Sequence, residues 1–152
     1  MLGRSYDGQN CSVARALEAV GERWSLLIIR DALYRGTTRF TDFQRGLHVA
    51  PNILAARLDG FVRAGLMEQR AQEGRPGQPE YVLTDKGRDL APVIIALSTW
   101  GDKWAAPQGP PAIFRHQACG GEIIQHLGCP DCGELVTSDA VAAQPGPGAQ
   151  AA

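Results

Sequence analysis

The stretch TDFQRGLHVAPNILAARLDGFVRAGL, residues 41–66, decides the fold of this chain, and its start predicts a short helix over residues 41–46. Pro51 then opens a longer helix at a position where the N–H that proline lacks would have no partner. The inward residues expected for that helix are Leu54, Leu58 and Phe61. Gly65 predicts its end, because glycine readily takes the left-handed geometry that follows a last helical turn. Two helices joined by so short a turn are typical of a helix-turn-helix motif.

The residues on the N-terminal side of this stretch predict two more helices. Apolar residues at positions 13, 16, 17 and 20 recur at helical spacing, which indicates an amphipathic helix over residues 12–20 with Ser12 as its N-cap. A second helix is predicted over residues 23–34. Its expected inward residues are Trp24, Leu27, Ile28 and Leu33.

On the C-terminal side the pattern changes to two short strands, residues 66–70 and 80–83, which flank a turn-rich tip. Thr84 is expected to cap one long last helix. Its expected core residues are Leu90, Val93 and Leu97. Four helices, a hairpin and a further helix follow the order of a winged helix-turn-helix. The predicted fold class is therefore mainly α with a small β-hairpin, extended at the C-terminus by a small zinc-ribbon-like segment.

These elements define four regions. We expect an N-terminal arm over residues 1–10 and a winged helix-turn-helix domain over residues 11–106, with its wing over residues 70–80. The ribbon-like C-terminal extension covers residues 107–139. Residues 140–152 are almost only Ala, Pro, Gly and Gln, a composition that predicts a disordered tail.

The composition predicts a globular cytoplasmic protein. Hydrophobic residues make up 44% and charged residues 20% of the chain. No apolar run approaches the roughly 20 residues that span a bilayer, and the N-terminus lacks the apolar core of a secretory signal. In that compartment the four cysteines are expected as free thiols or metal ligands rather than disulfides. The net charge of −1 gives no overall basic signature, so a nucleic-acid footprint would have to be local, as in the mild arginine excess between residues 39 and 75.

Several motifs of this chain lie in register with one known family. They are Gly21-Glu22-Arg23-Trp24, Arg39-Phe40-x2-Phe43, Asn52-x-Leu54-x2-Arg57-Leu58 and Glu80-Tyr81-x-Leu83-Thr84. With further matches from about residue 10 to residue 104, they resemble the HxlR family of MarR-like winged helix-turn-helix transcription regulators. The resemblance implies a non-enzymatic homodimer that binds double-stranded operator DNA, and we expect a repressor. The signals that release members from DNA differ, so the effector stays unknown.

The recognition helix, about residues 51–64, would enter the major groove while the wing reaches the flanking groove. Asn52 is the best candidate for reading bases, because its amide can form two hydrogen bonds with adenine. Arg57 would contact phosphate or guanine, or else form an ion pair with Asp31 or Asp42. The full predicted set of DNA-binding residues is Thr38, Arg39, Pro51, Asn52, Ala55, Ala56, Arg57, Arg63, Arg70 and Arg75.

The last predicted helix ends in two tryptophans, Trp100 and Trp104. Together with the helix over residues 12–20, they indicate a dimer seam. A two-fold dimer would place its recognition helices about 34 Å apart, which is one turn of DNA, so we expect an inverted-repeat operator.

Cys11 stands just ahead of the first predicted helix. A thiol at a helix N-terminus can have its pKa lowered, which favours the reactive thiolate. The family resemblance implies a redox sensor at this position in some members, although here Ser12 follows rather than proline. The alternative is that Cys11 is a small buried apolar residue.

The C-terminal extension contains two similar half-motifs, His116-x2-Cys119-Gly and Cys129-x2-Cys132-Gly. Zinc takes four ligands in a tetrahedron, and each x2 loop lets one turn offer two of them. These four side chains predict a closed, structural zinc site, for which His126 is a competing ligand; the alternative is thiols without metal. Two other interpretations are a winged-helix adaptor that binds a protein through the extension, and a thiol redox enzyme, which would lack the usual βαβ context.

Overall fold

The computed structural model describes residues 5, 6, 8–72, 74 and 76–149 and divides the chain into two units, residues 1–94 and 95–152. The elements in chain order are α1 (Ser12–Val20), α2 (Ser25–Tyr34), α3 (Phe40–Leu47), α4 (Pro51–Arg63), β1 (Met67–Arg70), β2 (Glu80–Leu83), α5 (Asp85–Arg88), α6 (Ala91–Ala105), β3 (Leu127–Gly128), β4 (Leu135–Val136) and a 3₁₀ turn (Ser138–Ala140). Among the described residues, no helix is long and apolar enough to cross a membrane.

The winged helix is built around the turn that joins α3 to α4. α3 packs against both α2 and α4, and β1 packs against α4. His48 ends α3 in the left-handed conformation, with φ at 51°, and its N–H donates to the carbonyl of Gln44 at 2.9 Å. Pro51 is the first residue of α4, as predicted. The most deeply buried apolar residues are Ile28, Ile29, Phe43, Leu54, Leu58, Phe61 and Met67, which confirms the inward stripe of α4.

The wing is the two-stranded antiparallel hairpin of β1 and β2, in which Arg70 pairs with Glu80. α4 leads into it through Gly65, whose φ of +70° is the left-handed geometry that the predicted helix end requires. An isolated bridge also pairs Arg39 with Glu80. The start of α3 is therefore paired with the wing.

The bounds of α1 are confirmed, but its predicted N-cap is wrong. Cys11 occupies the cap position and Ser12 is the first helical residue. The helix buries Ala14, whereas Val13 and Leu17 are 66% and 40% exposed. Within one chain, much of the apolar face of α1 is therefore left uncovered.

α2 begins at Ser25, two residues later than predicted. Trp24 has a left-handed backbone, with φ at 79°, and a right-handed helix cannot continue through such a residue. The side chains that α2 buries are Ser25, Ile28, Ile29 and Asp31. Leu27, predicted to face inward, is 39% exposed, so that part of the prediction is wrong.

The single long last helix that the sequence predicted is two helices. Thr84 caps only α5, where its Oγ1 accepts a hydrogen bond from the N–H of Gly87 at 3.2 Å. One continuous helix would place Pro92 in its interior, where the proline ring clashes with a carbonyl of the preceding turn. The break puts Pro92 in the first turn of α6 instead. Val93 and Leu97, expected in the core, are exposed.

Candidate nucleic-acid interface

The exposed face of α4 is the one that the sequence predicted for DNA. With its apolar stripe buried, α4 turns Asn52, Ala56 and Arg63 to solvent, and Ala55 is half-buried beside them. Asn52 follows Pro51 directly, so its exposed amide lies in the first turn, the end whose side chains reach base edges when a recognition helix enters the groove. The geometry thus leaves an exposed amide at the N-terminal end of α4.

Two charges of opposite sign lie on this exposed face. Arg63 forms no ion pair within the described part of the chain, so its guanidinium is available to a phosphate. Asp59 is exposed on the same helix. Arg63 is the main cationic group of this face. A carboxylate at Asp59 would repel the DNA backbone and so partly offset the attraction of Arg63 for phosphate.

Arg57 is placed differently from the rest of the predicted set. Its Nη2 lies 3.1 Å from Oε2 of Glu22, which stands in the turn between α1 and α2. Its side chain is only 26% exposed, and its Nε is buried without a hydrogen-bond partner in the described structure. The alternative of an ion pair with Asp31 or Asp42 is wrong in its partner, because Asp31 pairs with Arg30 and Arg35 and Asp42 pairs with Arg45.

Sequence reasoning missed Glu22 as the partner of Arg57. The available signal was its position in the motif Gly21-Glu22-Arg23-Trp24. Gly21 passes so close to α1 that an added Cβ would lie 2.6 Å from the carbonyl oxygen of Leu17. This tight turn sets Glu22 against α4, a tertiary contact that spacing along the chain does not encode.

Thr38 and Arg39, which precede α3, are both anchored to the wing. The N–H of Tyr81 donates to the carbonyl of Thr38 at 2.7 Å, and Thr38 Oγ1 lies 3.2 Å from Oε1 of Glu80. The guanidinium of Arg39 lies 3.6 Å from the same carboxylate. Both predicted contact residues are thereby held at the junction of α3 and the wing.

The described part of the wing offers one of the two predicted arginines. Arg70, the last residue of β1, forms an exposed ion pair with Glu68 at 2.6 Å. Arg75 lies outside the described residues. Exposed ion pairs of this kind contribute about 0–1 kcal/mol, so a DNA phosphate can replace Glu68 as the partner of Arg70 at little cost.

Cys11 is exposed at the N-cap of α1. The backbone N–H groups of Ala14 and Val13 near its sulfur hold the pKa of the thiol below its usual value; burial opposes them, and the nearby charge of Arg15 adds a smaller lowering. The alternative of a buried apolar residue is wrong. The thiol is accessible and biased toward thiolate.

The predicted zinc ligands form two separate pairs. Nδ1 of His116 lies 3.2 Å from Sγ of Cys119. In the second pair, backbone N–H groups of Cys132 and Asp131 and the thiol of Cys132 hold the pKa of Cys129 below its usual value. Across the described residues, no three His, Cys, Asp or Glu side chains stand together as a metal site.

Known proteins share this architecture over nearly the whole chain. A family model described as HxlR-like helix-turn-helix matches residues 19–109. Rv3095 of Mycobacterium tuberculosis, named as an HTH-type transcriptional regulator, is 42% identical over 151 residues, which cover 99% of this chain and 94% of that protein. The crystal structure of PA1607, a candidate transcription factor, superposes with a TM-score of 0.81 at 35% identity, covering 91% of this chain and 97% of the other. PA1374 of Pseudomonas aeruginosa, also a candidate transcription factor, has a TM-score of 0.65 at 40% identity, covering 92% and 95%.

Proposed function

The chain belongs to the HxlR-like helix-turn-helix family of DNA-binding transcriptional regulators, and from this premise we propose that it is a homodimeric repressor of promoters that carry an inverted-repeat operator. The observation that carries the proposal is α4. It buries one stripe completely and offers its leading end and opposite face to a groove. Asn52 reads bases in the major groove, and Arg63 contacts phosphate.

The arginines on and around α4 have different roles. Arg39 and Arg70 contact the DNA backbone at the flanking groove, since both pair with Glu80 at the wing and have at least partly exposed side chains. Arg57 orients α4 rather than reading DNA, because its guanidinium is turned back onto Glu22. Phosphate contacts then supply affinity and register, and Asn52 supplies sequence preference.

Uncovered apolar faces support the dimer. Val93, Leu97, Trp100 and Trp104 recur on one face of α6 at spacings of four, three and four residues. The exposed fractions of the two tryptophans are 63% and 67%. α1 has an uncovered apolar face of its own. Isolated monomers rarely expose contiguous apolar surface of this kind, so we assign both faces to the partner subunit.

A two-fold dimer fixes the form of the operator. Its two α4 helices enter successive major grooves about 34 Å apart, so the half-sites are inverted and one helical turn from centre to centre. A dimer bound across a promoter excludes the polymerase from it, and this is how we propose that it represses. Cys11 is the proposed site of a thiol-reactive signal, since its exposed sulfur sits at the start of α1, one of the two faces assigned to the dimer.

The test measures binding of the purified chain to the DNA upstream of its own coding region, by fluorescence anisotropy at several salt concentrations. We expect tight, salt-dependent binding with two subunits per duplex, loss of sequence preference in Asn52→Ala, and no change in Asn10→Ala, a matched asparagine outside α4. A promoter–reporter fusion should be repressed by the wild type and not by Asn52→Ala. Equal sequence preference in wild type and Asn52→Ala would contradict the assignment of α4.

The dimer has its own measurement. Trp100→Glu should convert the chain to monomer in sedimentation or light scattering, because a carboxylate cannot be buried unpaired in an apolar interface. Val141→Glu, which places the same charge on another exposed apolar residue, should leave the dimer intact. A dimer that survives Trp100→Glu and Leu97→Glu together would refute the α6 interface.

A further inference from the structure

The two half-motifs of the C-terminal extension have the same backbone structure. We call residues 116–121 the first knuckle and residues 129–134 the second. In each, the fifth residue is a glycine in the left-handed conformation, with φ at +72° and +75°. The N–H of that glycine donates to the carbonyl of the first residue at 2.7 and 2.8 Å. The N–H of the first residue donates to the carbonyl of the sixth at 2.8 and 2.9 Å.

Short antiparallel pairs flank both knuckles in the same way. Arg115 bridges to Glu122 beside the first knuckle, and β3 pairs with β4 around the second. The two loops therefore share two backbone hydrogen bonds and the same positive φ. They also share a ligand-type side chain at the first and fourth positions.

The side chains of the first knuckle lie close to the spacing of metal ligands. In a tetrahedral site, a nitrogen about 2.1 Å and a sulfur about 2.3 Å from zinc are about 3.6 Å apart. His116 Nδ1 and Cys119 Sγ are 3.2 Å apart. An added Cβ at Gly121 would come within 3.4 Å of that sulfur, so the glycine keeps the space beside it open.

Burial does not hold this segment together. From residue 107 to residue 149, all of which the structure describes, no residue is buried. Apolar side chains such as Ile124 and Leu135 are 65% and 66% exposed. Isolated two-stranded hairpins are marginal in water, and segments of this size usually need a cross-link or a metal.

We propose that the two knuckles close on one structural Zn²⁺ ion, with His116, Cys119, Cys129 and Cys132 as its four ligands. The pairs lie apart in the described chain, so binding and closure are coupled, as in other small zinc modules. Zn²⁺ replaces three thiol protons, which are released to solvent, and the neutral imidazole of His116 supplies the fourth bond; no electrons are transferred. The closed site carries a net charge of −1 and has no open position for water, so it stabilises structure and does not catalyse.

The first measurement is the zinc content of the full-length chain, purified without a histidine tag or chelator. We expect about one zinc per chain in the wild type and less than about a tenth in Cys129→Ser. Cys11→Ser is the matched control, because it removes a cysteine outside the knuckles, and it should keep the full zinc content. Wild-type protein that holds no zinc even after reconstitution under reducing conditions would overturn the proposal, as would equal loss in Cys11→Ser.

Three further experiments do not depend on a folded cysteine variant. Co²⁺ added to the reduced wild-type chain should give the intense visible bands of tetrahedral thiolate coordination; weak octahedral bands would refute the site. His116→Ala should lower zinc affinity while His126→Ala does not, and the reverse result would overturn the ligand set. Chelation should also speed trypsin cleavage at Arg115, which is exposed beside the first knuckle, because without zinc the two knuckles are no longer cross-linked. Unchanged cleavage at Arg115 after zinc removal would contradict coupled closure.

Discussion

Arg57 and Arg63 lie in the same helix, α4, but their guanidinium groups have different surroundings. Arg63 is exposed and has no ion pair among the described residues, whereas Arg57 is turned onto Glu22 at 3.1 Å. The perturbation is the same methionine substitution at each position, because methionine keeps an unbranched apolar stem and removes the charge. Arg63→Met should weaken binding to every duplex, whereas Arg57→Met should leave the number of phosphate contacts unchanged.

The magnitude follows from counterion release. Each phosphate contact contributes about 0.9 to the slope of log affinity against log salt, so losing one contact per subunit lowers the slope of a dimer by about 1.8. Between about 50 and 200 mM salt, that change makes the salt-induced loss of affinity about tenfold smaller. Arg57→Met should leave the slope unchanged. It removes a partly exposed ion pair, so we expect a loss of at most about 1 kcal/mol in the free energy of unfolding.

The assay is fluorescence anisotropy on a random-sequence duplex of two helical turns across a series of salt concentrations, since the effect of phosphate contacts does not depend on sequence. Thermal unfolding of Glu22→Gln, Arg57→Met and the double variant measures the coupling of the pair, which we expect at about 0.2–1 kcal/mol. If Arg57→Met lowers the salt slope as much as Arg63→Met does, Arg57 contacts phosphate and the reasoning from its ion pair is wrong.

Three other predictions follow from single positions. Because the pKa of Cys11 is lowered by the N–H groups of Ala14 and Val13, its thiolate persists to lower pH, so peptide-resolved alkylation should show a lower pH midpoint in the folded than in the urea-unfolded chain; equal midpoints would contradict this. Gly87→Ala should lower the melting temperature by several degrees or more, since its Cβ would lie 2.1 Å from the backbone oxygen of Leu66 and overpacking costs about 1–3 kcal/mol. Gly101→Ala, in α6 with open space around it, is the control and should be neutral or stabilising. Asp59→Asn should raise affinity for any duplex by removing a repelling charge from the exposed face of α4, and unchanged affinity would place Asp59 away from the DNA.

The sequence by itself determined the recognition helix and the hairpin that follows it, although it missed the α1 cap, the start of α2 and the break between α5 and α6. Pro51 and Gly65 set the ends of α4, and the spacing of Leu54, Leu58 and Phe61 predicted both its buried stripe and the exposed position of Asn52. These predictions hold because helix ends and helix faces depend on residues within a few positions of one another. The motifs shared with the family predicted the order of the elements along the chain.

Only the tertiary structure decided which partners those elements meet. Arg57 pairs with Glu22, 35 positions away, rather than with Asp31 or Asp42, because the turn after α1 brings that carboxylate against α4. Periodicity found the apolar face of α6, but the helix leaves it uncovered within one chain, and no pattern distinguishes a face that packs inside from one that packs on a second subunit. The same limit applies to the two knuckles: their spacing predicted four ligands, while their matching backbones are a property of the fold. Side-chain spacing is local information, and contacts between distant segments are determined by how the whole chain packs.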